Sequence, residues 1–87
     1  QSIDLETRQA YFDVRASRKS LEQSRRAVEL AQESLRSVQD RYREGLTTLV
    51  ELLDAETALT RSRTREIATL RELIVSQANL ELAVGRL

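Results

Sequence analysis

Glu51 and Asp54 come closest, among these 87 residues, to a chemical site. They stand three apart at the start of a helical run and so share one face, and paired carboxylates are common equipment for acid and base catalysis. The same residues also have a plainer employment. Acidic side chains in a first helical turn complement the helix dipole, and Glu51 follows Thr48 by three residues, the spacing of a capping box. Catalysis would further require a concave, water-poor pocket to displace their pKa values, which two packed helices do not build. No enzymatic activity is expected. Histidine and cysteine are both absent, removing imidazole and thiolate chemistry and most transition-metal sites. No cofactor or metal is therefore expected.

Other candidates read more simply still. Tyr42 occupies a large position one turn before Gly45, where core packing over the end of a helix pair is its default role. Arg41, Arg43 and Glu44 around it read as solvated, and single surface ion pairs contribute little. The Arg25 and Arg26 pair and the series Arg61, Arg63 and Arg65 likewise read as solvated faces.

The elements that must position these residues follow from a heptad rhythm on both sides of Gly45. In the first arm Val14, Leu21, Val28, Leu35 and Tyr42 recur every seven residues. Ile3, Ala10, Ser17, Ser24, Ala31 and Val38 interleave with them as mostly smaller members. The second arm repeats the device with Leu52, Leu59, Leu73, Leu80 and Leu87, interrupted by Glu66, and with Ala55, Ser62, Thr69, Ser76 and Ala83. A stripe repeating every 3.5 residues keeps facing a partner when two helices supercoil left-handed. Small residues let the two backbones approach.

Local chemistry places the reversal. Gly45 can take positive φ without a Cβ clash, as a residue just past a helix end must. Thr48 and Glu51 mark a new start. The sequence thus predicts one unit over residues 1–87: a helix over about 2–44, a turn at 45–47 and a helix over about 48–85. So short a turn makes the arms antiparallel. The fold class expected is all-α, an antiparallel two-helix coiled-coil hairpin.

Composition narrows the function. Lys plus Arg number 14 against 14 Asp plus Glu, so no net field steers the chain to nucleic acid or acidic membrane. Aromatic residues are only 3%, too few for a stacking platform or an interfacial belt. No apolar stretch approaches the ~20 residues that span a bilayer, and any export signal or membrane anchor is expected outside this segment.

One feature exceeds a simple hairpin. Val50, Leu53, Thr57, Thr60, Thr64, Ile67, Ile74 and Ala78 form a second uncharged line on the second helix. Ala16, Ser20, Ala27, Leu30 and Ser34 make a small, weakly polar flank on the first. Helices with two packing flanks want two neighbours, and a lone hairpin gives each only one. The chain is therefore expected to be a fragment of a larger wall of helices, and to self-associate when isolated.

The run RYREGLTTLVELLDAETAL, the preceding AVELAQESLRSVQDRY and the ending ANLELAVGRL together resemble the TolC-like outer membrane efflux proteins, specifically the second of their two helical hairpin repeats. The likeness covers essentially the whole chain. Its most specific part is RY, two residues, GL, then LVELLDAE, which joins the turn glycine to an acidic and apolar restart at fixed spacing. The segment ETRQAYFDV also looks like the beginning of the family's long periplasmic helix.

The resemblance implies more than the spacing does. Three copies of such proteins, a homotrimer, combine an outer-membrane β-barrel with an α-helical barrel projecting through the periplasm. An inner-membrane transporter energises export, and a periplasmic adaptor protein docks at the tunnel tip. By motif position Gly45, Leu46 and Thr47 would form the adaptor-docking tip. Tyr42 would be an aperture contact, and Glu51 and Asp54 would line the pore as rings of carboxylates able to set ion preference. A Glu51 committed to its capping box could not point freely into that pore. Two departures stand out. Glu44 replaces an apolar residue that often precedes the glycine, and Thr47 stands where a basic residue can lock the aperture.

The function expected is thus conduit wall and docking tip in the periplasmic part of an outer-membrane efflux channel, with no nucleic acid partner. The alternative is an autonomous coiled-coil dimerisation or scaffold module.

Overall fold

The structure, a computed structural model, describes residues 2–85, with side chains from residue 4. Leu87 therefore lies outside the described residues, and the side chain of Ile3 outside the described side chains. The fold is all-α, a helical hairpin of α1 (Ser2–Arg43) and α2 (Leu49–Gly85). α1 stops one residue before the expected end and α2 starts one residue later, because Glu44 and Thr48 serve as the flanking caps.

Contacts divide the chain into two compact units. One joins α1 up to Gln23 with α2 from Ile67, and the other is Ser24–Glu66, which contains the reversal. In the first unit the buried stripe is Ala10, Val14 and Leu21 on α1 with Ser76 and Ala83 on α2. Leu73 and Leu80 are half-buried beside them. In the second unit the buried residues are Ser24, Val28 and Val38 on α1 and Leu59 on α2, with Ala31, Leu35, Leu52, Ala55 and Ser62 half-buried. These are the heptad positions. Burying a Val or Leu side chain contributes roughly 1.5–3 kcal/mol, so this stripe is what holds each pair of helix segments together.

Among the described residues no side chain reaches less than 2% exposure. Within each unit two helix segments pack along one seam, and among the described residues no further layer closes over it, which limits enclosure. The small polar members fit because their hydroxyls find partners. Ser76 Oγ donates to the Leu73 carbonyl at 2.9 Å, and no buried side-chain polar atom is left unsatisfied among the described residues.

Glu66 stands where leucine recurs. In the second unit Arg25 Nε on α1 lies 3.8 Å from its Oε2 on α2, with the two side chains 59% and 34% exposed. Partial solvation limits such a pair to about 1 kcal/mol or less.

α1 and α2 differ away from the seam. Within Ser24–Glu66, α1 turns Arg26, Glu29, Glu33, Arg36 and Asp40 to water. On the line opposite its seam α2 carries Val50, Leu53, Thr57, Thr60 and Thr64, with its exposed charges, Glu51, Asp54, Glu56, Arg61, Arg63 and Arg65, to the sides. No described helix is long and apolar enough to cross a membrane.

Candidate functional site at the helix reversal

The reversal is built by its own hydrogen bonds. Leu46 N donates to the Arg41 carbonyl at 2.8 Å and Gly45 N to the Tyr42 carbonyl at 3.0 Å. This is the Schellman pattern, which satisfies carbonyls orphaned at a helix end and demands a left-handed residue. Gly45 supplies it with φ of 74°. A Cβ built there would meet nothing within 4 Å, so within this chain the glycine is required by backbone conformation and not by crowding.

α2 is capped from the other side. Glu51 N donates to Thr48 Oγ1 at 3.2 Å, and Leu52 N to the Thr48 carbonyl at 3.2 Å. The carboxylate of Glu51 does not complete the reciprocal half of a capping box. It accepts a hydrogen bond from the Thr47 hydroxyl instead. Two successive threonines precede the helix, and the first is the one that reaches the carboxylate. Sequence reasoning missed this partner, although the TT dipeptide four and three residues before Glu51 was the signal available.

Tyr42 departs from its expected place in the core. It is 41% exposed, because α2 begins only at Leu49 and the last turn of α1 extends beyond anything that could cover the ring. Leu46 at 68%, Leu49 at 53%, Val50 at 66% and Leu53 at 51% are open as well. The reversal thus brings together Tyr42, Gly45, Leu46, Thr47 and Glu51 with these further apolar side chains. Leu49 had no signal in the heptad stripe and was not anticipated. Asp54, also exposed, sits one turn beyond Glu51 on the same helix. Asp40 and Arg43 pair at 3.4 Å in solvent, with side chains 61% and 76% exposed.

Such an arrangement can bind by apolar contact, through Tyr42, Leu46, Leu49, Val50 and Leu53. Among the described residues no group of His, Cys, Asp or Glu is arranged to hold a metal ion. The Thr residues that follow along α2 serve its outer face. Thr57, Thr60 and Thr64 donate their hydroxyls to the carbonyls of Leu53, Glu56 and Thr60 at 2.9, 3.1 and 3.0 Å. A threonine bonded back to its own helix offers a neighbour chiefly its methyl group.

The other unit contains an open groove of ≈ 660 Å³ lined by Thr7, Arg8, Tyr11, Phe12, Leu80 and Val84. Tyr11 and Phe12 meet edge to face at 6.2 Å between centroids. The Arg15 guanidinium carbon stands 6.0 Å from the Tyr11 centroid.

Comparison with known proteins agrees with the hairpin. The family described as outer membrane efflux protein matches residues 1–86. The chain is 32% identical over 88 residues to outer membrane protein TolC of Escherichia coli strain K12. That match takes in all of this chain and 18% of the relative's length. No solved structure gives a significant match. With nearly every residue inside the family match, the chain belongs to the outer membrane efflux protein family.

Proposed function

We propose that this chain is one hairpin of the periplasmic tunnel of a trimeric outer-membrane efflux channel, forming conduit wall and presenting the tip that docks a periplasmic adaptor protein. The observation that carries the wall role is the uncharged outer face of α2, where Val50 and Leu53 are more than half exposed and three threonines have turned their hydroxyls inward. A helix with a solvated destiny would place charges there, as α1 does.

Docking is supported by the open apolar end at Tyr42, Leu46, Leu49 and Val50, beside a glycine that adds no bulk. The adaptor, and through it an inner-membrane transporter, would meet Gly45, Leu46 and Thr47. Tyr42 would contribute an aperture contact. Of the two carboxylates, Asp54 is better suited than Glu51 to face a lumen, since the Glu51 carboxylate is engaged by Thr47. Three Asp54 side chains around a threefold axis would attract cations and repel one another.

Binding of the full-length channel to its adaptor tests the tip. Gly45→Ala and Gly45→Trp suffer the same backbone strain but differ in bulk. Retained binding by the alanine variant and lost binding by the tryptophan variant are expected. Equal binding by both would remove Gly45 from the contact. The exposed α2 face also suits the second reading, a self-contained dimerising module. Native mass of the full-length protein separates them, three copies for a channel and two for the module.

A further inference from the structure

Glu66 is the one charged residue at the seam positions of either helix. Leu59 and Leu73 stand seven residues to either side of it on the same stripe. Leucine would fill this place with more apolar area and would need no partner. A carboxylate at a helix seam is tolerated when a cation meets it, and replacing such pairs by apolar residues often stabilises. Here α1 supplies the cation from the flank, through Arg25 at 3.8 Å, next to the buried Ser24. Glu66, at 34%, is the more enclosed partner.

The reason to retain a charge there lies in the two faces of α2. Its seam of leucines and small residues would, without Glu66, accept any helix of like pattern, including another copy of α2. In a parallel α2 pair the two Glu66 carboxylates would fall in the same layer and repel. Against α1 the carboxylate meets a guanidinium. We infer that Arg25 and Glu66 are a partner-specifying pair that reserves the leucine seam of α2 for α1, leaving its outer face for other contacts. Some stability is given up for that selectivity. The inference stands whether or not the parent is a channel.

A cysteine-free full-length protein carrying Ser62→Cys, one turn from Glu66 on the same stripe, tests it. Wrong parallel pairing of two α2 helices brings the thiols together, and oxidation then links the chains. With Arg25 and Glu66 present, little disulfide-linked chain is expected. Glu66→Leu should raise the linked fraction by about threefold or more while leaving the thermal midpoint unchanged or higher. Arg25→Glu should lower the midpoint by a few degrees, and Arg25→Glu with Glu66→Arg should recover at least half of that loss. An unchanged linked fraction in Glu66→Leu, or a double variant no better than Arg25→Glu alone, would overturn the pairing role.

Discussion

The outer faces of the two helices, compared within Ser24–Glu66, differ in what they leave for water. α1 carries Arg26, Glu29, Glu33, Arg36 and Asp40, whereas α2 carries Val50, Leu53, Thr57, Thr60 and Thr64. Both sets lie opposite a seam of the same heptad kind, so the seam does not account for the difference. A charged side chain keeps its hydration only on a face that stays wet, and burial of an unpaired charge is costly. A face of Val, Leu and back-bonded Thr loses nothing on being covered. Directly opposite the seam α2 could thus be covered at less cost than α1, as the proposed conduit wall requires.

The largest effect is expected at the seam itself. Val28 is 8% exposed in the Ser24–Glu66 unit, and Val28→Asp should cost roughly 3 kcal/mol or more, read as loss of helicity and a lowered melting midpoint by circular dichroism. A seam that tolerates this charge would remove the basis for calling either face outer.

Next comes assembly. Leu53→Glu combined with Thr60→Glu on α2 should leave helicity intact but lower the native mass of the full-length protein, while Glu33→Lys on α1 should leave both unchanged. Equal behaviour of the two variants would abolish the asymmetry.

The turn decides whether α2 presents this face at all. Gly45→Ala must hold a Cβ at φ of 74° and should cost about 1–2 kcal/mol in thermal or chemical unfolding. Thr48→Ala removes the acceptor for the Glu51 amide and should cost about 1 kcal/mol by the same measurement. A neutral Thr48→Ala would mean that the cap does not position α2.

The smallest effect belongs to the wet face. Asp40→Ala breaks an ion pair whose partners are 61% and 76% exposed, and the unfolding free energy should change by less than about 0.5 kcal/mol. A larger loss would show that the outer face of α1 is structurally engaged.

Residue patterns made much of this readable. Val14, Leu21, Val28 and Leu59 stand at heptad positions and are each at most 8% exposed. Periodicity is a property of the chain's covalent order, so it survives without coordinates. Gly45 was legible for a similar reason, because few other residues accept positive φ. Tyr42 was not. Its heptad position matches those of buried residues, yet burial depends on what stands opposite, and the five residues between Arg43 and Leu49 place no helix there. The Thr47 to Glu51 hydrogen bond was similarly hidden, since the Thr48 amide of a capping box and the Thr47 hydroxyl are rival donors to one carboxylate and only their directions in space choose between them.

By its own order of residues this chain determined two amphipathic helices, the joint between them and the family to which they belong, because these follow from spacing, backbone freedom and residue identity. Folding alone decided which apolar groups remained uncovered at Tyr42, Leu46 and Leu49, and that Arg25 would meet Glu66. Exposure and cross-helix pairing are relations between distant segments, and they come into being only when the segments are brought together.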